Sequence, residues 1–350
     1  MDDRLSTTGD SPAVAVYGAA GHTGRFVLRE LSRRGFTAIA IGRNAAKLAA
    51  ADFPARVRRD VADLEDAASL ARALTGVAAV INCAGPFLDT AEPLVSAALR
   101  ARIHYVDVTA EQASAQAIFQ RHSAAAEEAG VVIMPAMGFY GGLSDLLVTA
   151  AMGDWTGADE ARIGIALDSW KPTEGTRATG RRNTARRLTI ADGTLQPLAD
   201  PAPNAVWSFA EPFGAQEMVE LPFTEAILIG RHLQLSELHT YLNRAPLRDL
   251  RDATTPPPVA ADASGRSSQT FLVEVEVRQG NTVRRAMARG RDIYATTAPL
   301  AVEAVERVLN EVTVAGGVFA PGALFDARDF LAALGRYSLQ AEESESTRAD

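Results

Sequence analysis

Ala13-Val14-Ala15-Val16-Tyr17-Gly18-Ala19-Ala20-Gly21-His22-Thr23-Gly24-Arg25 runs from an apolar strand, through three glycines, into a helix. Each glycine has a separate steric task. Gly18 permits the tight turn after the strand, Gly21 lets the backbone approach a bound group, and Gly24 lets helix and strand pack closely. The free N–H groups of the first helical turn then face an anion, and the helix dipole favours negative charge there. The stretch therefore predicts a pyrophosphate cradle for a dinucleotide, contributed by Gly18, Ala20, Gly21, His22, Thr23 and Gly24.

Working outward, Arg25 to Arg34 carries Phe26, Val27 and Leu31 on one side, and Gly35 ends that helix in a C-cap position. Thr37 to Ile41 reads as a second strand, followed by Gly42-Arg43-Asn44. An NAD site places Asp or Glu about 20 residues beyond the glycines, to accept from the ribose 2′-hydroxyl. Arg43 stands there instead, with Lys47 one turn later. A carboxylate repels a 2′-phosphate, whereas a guanidinium pairs with it. The expected cofactor is NADP(H).

The 350 residues carry a formal charge of −8 and are 47% hydrophobic. That length allows two domains, and the acidic balance argues against a nucleic-acid partner held through phosphates. Cys83 is the single cysteine, so no internal disulfide forms and a cysteine-based zinc site is excluded. No apolar run approaches the ~20 residues of a membrane span, and Met1 to Ser11 is polar and partly acidic, unlike a signal peptide. A soluble cytoplasmic protein acting on a small molecule is the economical reading; a homodimer is compatible with it.

Strands and helices alternate over the first 140 residues. Strands are expected at Ala13–Tyr17, Thr37–Ile41, Ala55–Arg59, Ala78–Cys83, His104–Val108 and Val131–Pro135. Helices are expected at Arg25–Arg34, Ala45–Ala51, Asp66–Leu74, Ala91–Ala101 and Glu111–Ala129. This predicts an α/β fold, a Rossmann-type parallel sheet with helices on both faces. Ligands on such sheets sit at the carboxyl ends of the strands. Beyond Ala150 the pattern changes. Val273, Val275 and Val277 alternate with Glu274, Glu276 and Arg278, a half-buried strand. Gln279-Gly280-Asn281 turns it into Thr282–Arg289. An inserted α+β domain with a mainly antiparallel sheet is expected over residues 141–292, between a dinucleotide domain at 12–140 and closing helices at 293–338 that pack back on it. Thr254–Ser268 is proline-rich and expected as a mobile loop, Pro299 is expected to start a helix through Asn310, and the acidic tail from Gln340 is expected to be disordered.

Several residues could carry chemistry. Cys83-Ala84-Gly85-Pro86 follows the fourth strand, where small residues let backbone pass beside the cofactor; Cys83 itself reads as a small core hydrophobe rather than a nucleophile, since nothing nearby in sequence lowers its pKa. Asp107 sits within an apolar run, where a carboxylate needs a partner: it either caps backbone N–H groups or lines the cleft as a catalytic group. Glu111 suits the first turn of the following helix. Tyr140, amid glycines where the chain leaves the first domain, is a candidate proton donor, or packs on the nicotinamide. Thr176 and Arg177 lie in a polar stretch that either faces the cleft or is solvated. Neither lysine follows a tyrosine by four residues, which rules out the Tyr-x-x-x-Lys mechanism of short-chain dehydrogenases in its usual form.

These motifs together resemble the saccharopine dehydrogenase-like NADP-binding oxidoreductases, including the trans-acting enoyl reductase branch. The resemblance is carried by Tyr17 to Arg25, Gly42-Arg43, Asn82 to Phe87, Tyr105 to Glu111, Gly138-Phe139, Ser144-Asp145, Pro321 to Asp326 and Asp329 to Leu331. It implies a Rossmann domain, an inserted domain with an antiparallel sheet, and hydride transfer to a C=C or C=N bond. The chain departs from the family at Ala110, where glycine is usual, and at Tyr140-Gly141-Gly142-Leu143, which alters the pocket beside the nicotinamide. The expectation is an NADPH-dependent reductase of a small, fairly apolar metabolite. The alternatives are a saccharopine-type imine reductase on an amino-acid-derived substrate and a non-catalytic NADP(H) sensor.

Overall fold

Ala13–Tyr17 is strand β1, buried on both faces, as its unbroken apolar run requires in the middle of a parallel sheet. The computed structural model describes residues 11–310, 315–335 and 339–347, so the expectation for the N-terminal segment falls almost wholly outside the described residues. From β1 the chain runs α1 (His22–Arg33), β2 (Thr37–Gly42), α2 (Ala45–Ala50), β3 (Arg58–Val61), α3 (Ala67–Ala73), β4 (Ala79–Asn82), α4 (Phe87–Ala101), β5 (His104–Asp107), α5 (Gln112–Ala129) and β6 (Val132–Met134). It continues through α6 (Gly142–Met152), β7 (Gly157–Leu167), α7 (Glu174–Arg182), β8 (Leu188–Ala191), β9 (Thr194–Pro197), β10 (Asn204–Ser208), β11 (Ala215–Glu220), α8 (Glu225–Ile229), β12 (Gln234–Asn243) and α9 (Arg244–Arg251). The last elements are β13 (Thr270–Gln279), β14 (Thr282–Arg291), α10 (Ile293–Asn310), β15 (Gly317–Val318), α11 (Pro321–Leu324), α12 (Ala327–Leu334) and β16 (Gln340–Thr347).

The first sheet is parallel throughout, in the order β15-β6-β5-β4-β1-β2-β3. β1 pairs with β2 on one side (Tyr17 opposite Ile41) and with β4 on the other (Tyr17 opposite Asn82). The strand order reverses here, and the crevice beyond the strand ends is where such sheets bind ligands. The second sheet runs β10-β11-β12-β7-β13-β14-β16, with β8 and β9 attached through β12. Its pairs are antiparallel except β7 with β12, which is parallel. Val273, Val275 and Val277 of β13 are buried, as their alternation predicts.

Several expectations need correction. Helix α1 opens at His22, three residues before Arg25, because the glycine loop already forms its first turn: Arg25 N–H donates to the Gly21 carbonyl. Helix α4 opens at Phe87 rather than Ala91, for a reason that belongs to the site. Helix α10 opens at Ile293, with Pro299 inside it. Asp292 outweighs the proline as a start signal: its Oδ1 accepts from the N–H groups of both Tyr294 and Ala295 at 3.0 Å. The acidic tail is not disordered over residues 340–347. It forms edge strand β16 on β14, where Glu345 pairs with Arg284 at 2.9 Å and Glu342 with Arg289 at 3.5 Å. Complementary charge supplies what hydrophobicity does not.

Residues 254–268 contain no helix or strand but are tied to the rest of the chain: Ser267 N–H donates to Asp292 Oδ2 at 2.7 Å. Helix α10 returns to the first sheet and lies against α1, where Arg34, its side chain almost fully buried, pairs with Glu303 and Glu306.

Candidate active site

The crevice at the β1/β4 ends opens into a cavity of about 1640 Å³. Gly18 turns with φ +77°, and a Cβ there lies 2.8 Å from the Ala84 nitrogen. A Cβ on Gly24 lies 2.5 Å from the Gly18 carbonyl oxygen. Gly18 thus lets two turns meet, and Gly24 lets the helix sit under the loop; Gly24 supports the cradle from below and does not line the cavity. Ala20, Gly21, His22 and Thr23 do line it, and the first N–H groups of α1 have no acceptor within the helix. Burial holds the His22 imidazole below its ordinary pKa, against the charge of Asp292.

At one end of this groove lie Arg43, Asn44 and Lys47 after β2, with Asp63, Leu64 and Glu65 after β3. Asn44 fixes their arrangement by accepting from Lys47 N–H at 2.9 Å as the cap of α2. Lys47 Nζ reaches Glu174 of α7 at 3.9 Å, an exposed pair, which carries little energy. The Arg43 guanidinium forms no ion pair among the described residues.

The turn after β4 closes the groove. Asn82 Oδ1 accepts from Ala84 N–H at 3.0 Å, and Thr90 Oγ1 donates to the Ala84 carbonyl at 2.6 Å. Glu111 is wholly buried, and its side chain does not cap its own helix. Its two oxygens accept from Phe87 N–H at 2.8 Å and Leu88 N–H at 2.9 Å, which starts α4 four residues early and holds Gly85-Pro86 beside the cavity. Cys83, Ala84, Gly85 and Pro86 all line the cavity. Burial, aided by the charge of Asp107, pushes the Cys83 thiol far above its ordinary value, which leaves it inert as a nucleophile.

Asp107 is not among the residues that line the cavity, and its bonds are those of the backbone-capping alternative. It is fully buried; Oδ1 accepts from Thr109 N–H at 3.0 Å and Ala136 N–H at 2.8 Å, and Oδ2 from the Tyr105 hydroxyl at 2.9 Å. Burial raises its pKa to about 6 against these bonds. It fixes the ends of β5 and β6. Asp145 is likewise structural: it pairs with His232 at 2.7 Å and accepts from Gly322 N–H at 2.7 Å, joining α6 to the segment after α8 and to α11.

Tyr140 does face the cavity. Its ring is stacked between Trp170 (centroids 5.3 Å apart) and Phe223 (4.1 Å), both at 27°. Its hydroxyl is buried without a hydrogen-bond partner among the described residues. Burial, with the charges of Tyr294 and Glu225, holds the phenol well above its ordinary pKa, so it stays protonated. Helix α7 crosses the cavity mouth: Thr176 and Arg177 line it, Thr176 Oγ1 meets the Tyr294 hydroxyl at 2.9 Å, and Arg177 donates to the carbonyls of Asp252 and Thr255. Sequence reasoning missed Trp170, Arg187, Phe223 and Tyr294. They come from four separate segments, which only the tertiary fold brings to one cavity.

Residues 14–134 match the family model of the saccharopine dehydrogenase NADP binding domain. A probable mitochondrial saccharopine dehydrogenase-like oxidoreductase of Arabidopsis thaliana is 30% identical over 142 residues, which cover 36% of this chain and 31% of that protein. A saccharopine dehydrogenase-like oxidoreductase of Bos taurus is 26% identical over 145 residues, 36% of this chain and 34% of its own length. A lipid droplet localized protein of Caenorhabditis elegans is 31% identical over 139 residues, 36% and 33% of the two chains. The chain thus matches about a third of the length of these relatives. Among solved structures, apo saccharopine dehydrogenase (L-Glu forming) from Saccharomyces cerevisiae superposes with a TM-score of 0.70 at 12% identity, over 96% of this chain and 100% of that one, a likeness of fold. No helix of the described residues is long and apolar enough to cross a membrane. Residues 14–134 are thus similar to the saccharopine dehydrogenase NADP binding domain, and the fold of the whole chain is like that of saccharopine dehydrogenase.

Proposed function

We propose that this chain is an NADPH-dependent reductase acting on a C=C or C=N bond of a small, largely apolar metabolite. The observation that carries the reading is the continuity of one cavity: the glycine cradle, the Gly85-Pro86 turn and Tyr140, whose buried hydroxyl has no hydrogen-bond partner among the described residues, all contribute to its lining. The residues fit the cofactor. The close backbone approaches at Gly18 and Gly24 build the cradle, and Arg43, with no ion pair among the described residues, suits a 2′-phosphate. The cofactor, when bound, supplies the hydride that adds to one atom of the double bond.

The chain's own residues would do the remainder. His22, Thr23 and the start of α1 hold the diphosphate; Arg43 and Lys47 hold the 2′-phosphate; Ala84 to Pro86, fixed by Glu111, flank the reactive end. Phe139, Trp170, Phe223 and Tyr294 provide apolar walls that exclude water from the acceptor. Tyr140 holds a proton at its hydroxyl and delivers it to the second atom of the reduced bond, so that hydride and proton together saturate it. The apolar walls support an enoyl-type C=C acceptor, in the manner of the trans-acting enoyl reductases, over a dicarboxylic amino-acid imine.

The test is loss of NADPH absorbance with a panel of enones, unsaturated carboxylates and cyclic imines. Turnover of an enoyl compound supports the reading. Turnover of imines alone favours the amino-acid alternative. Tight NADPH binding with no turnover on any class makes the chain a nucleotide sensor.

A further inference from the structure

The cavity wall also carries a cation that forms no ion pair among the described residues. Arg187 follows α7 by five residues and lines the cavity. Its guanidinium carbon lies 4.8 Å from the centroid of the Phe223 ring, so one face is spent on the aromatic. Its single hydrogen bond among the described residues runs from Nη1 to the Pro222 carbonyl, 2.6 Å. It forms no ion pair among them. A guanidinium has five N–H donors in a planar fork, so most of this fork is left for something else. Tyr140 stacks on the same Phe223 ring, and Tyr140, Arg187 and Phe223 all line the cavity.

The internal acid that bears on Arg187 is Glu225; one of its oxygens is engaged elsewhere and Oε2 has no hydrogen-bond partner among the described residues, yet the two residues form no ion pair. The Glu225 carboxylate is fully buried, and Oε1 accepts from Phe223 N–H at 2.7 Å. Burial raises its pKa and thus weakens it as a counter-charge. Desolvation also pulls the Arg187 guanidinium below its ordinary value, opposed by Glu225 and Tyr140. A cation taken partly out of water is costly until an anion joins it, and the planar fork matches a carboxylate best.

We propose that Arg187 is the anchor for a substrate carboxylate, so that the acceptor is an apolar molecule bearing one carboxylate, with its reducible bond beside Tyr140 and its body against Trp170 and Phe223. This rests on the reductase reading and narrows its substrate class. It also makes Arg187 a specificity-determining residue: an ester or amide of the same shape leaves the fork unpaired, and a site built for a polar group rejects the analogue that lacks it.

The experiment is calorimetric titration of the protein, free and loaded with NADP+, with trans-cinnamate and the isosteric trans-cinnamamide. Cinnamate is expected to bind at least about 10-fold more tightly than the amide. Arg187→Met should abolish that preference while NADP+ affinity stays unchanged, which also shows that the variant folds. If Arg187→Met does not fold, Arg187→Lys decides, since it keeps the charge and loses the fork; the preference should drop at least about threefold. Equal affinity for acid and amide, no binding of cinnamate at millimolar concentration, or a preference untouched by the substitutions overturns the proposal. Failure of NADP+ to bind sinks the reductase reading instead, and a carboxylate preference in the free protein then stands on its own.

Discussion

The Glu111 carboxylate accepts from the backbone N–H of Phe87 at 2.8 Å, so a residue ahead of α5 sets the first turn of α4. With Leu88 as second donor, this buried carboxylate replaces water for two orphan amides. Glu111→Gln keeps one acceptor oxygen and turns the other into an amide that opposes an N–H. The expected loss is about 2 kcal/mol of stability, read as a lower midpoint in urea. Because the same bonds hold Gly85-Pro86 beside the cavity, NADPH affinity should fall as well. Unchanged stability and unchanged affinity would show the turn to be self-supporting.

Arg43→Ala should weaken NADPH binding by roughly 10-fold or more and leave NADH binding nearly unchanged, since only the 2′-phosphate is lost as a partner. Lys47→Ala should act in the same direction but less, because Lys47 is a point charge already shared with Glu174. The ratio of the two dissociation constants, measured by fluorescence of the reduced nucleotide, checks both. An unaltered ratio in Arg43→Ala removes that residue from cofactor choice.

Tyr140→Phe keeps the aromatic stack with Trp170 and Phe223 and removes only the hydroxyl. Turnover should fall about 100-fold, with nucleotide affinity intact. The phenol is held well above its usual pKa, so wild-type turnover should show no decline from its ionisation below about pH 10. A wild-type rate in Tyr140→Phe assigns the proton to water.

How much of this was legible in the sequence follows the range of the interactions. The β1–α1 cradle was readable because strand, glycines and helix are contiguous, and Gly24 could be assigned to close packing before its neighbour was known. β3 was misplaced by about three residues: its sequence is Arg58-Arg59-Asp60-Val61, an edge strand without an apolar pattern. β8 to β12 went unread, since β8 to β11 are only four to six residues long and β12 joins β7 in parallel across more than sixty residues of chain. Asp107 was read as either a cap or a cleft residue, and only the positions of Ala136 and Tyr105 decide between them. Of the pocket of Tyr140, Trp170, Arg187 and Phe223, only Tyr140 had a local signature, its flanking glycines; the other three had none.

Asp107 gives stability a pH dependence whose sign is opposite to that of a salt-bridged carboxylate. Its folded pKa is about 6, raised by burial from an ordinary value of 3.8. Between those values the folded chain keeps a proton that the unfolded chain has released. Stability from this group is therefore present below about pH 4 and is lost as pH rises toward 6, by roughly 2–3 kcal/mol in all. Asp107→Asn cannot ionise, so it should lack this slope. Its Oδ1 can still accept from Thr109 and Ala136, but its amide must donate toward Tyr105, which already receives Asn82 Nδ2 at 3.2 Å. The neutral amide resembles the protonated carboxyl, so the variant should lie close to wild type at pH 4 and gain on it as pH rises through 6. Urea midpoints at pH 4, 5, 6 and 7 measure it. A gap that stays constant over that range shows Asp107 to be ionised throughout, held so by its three donors.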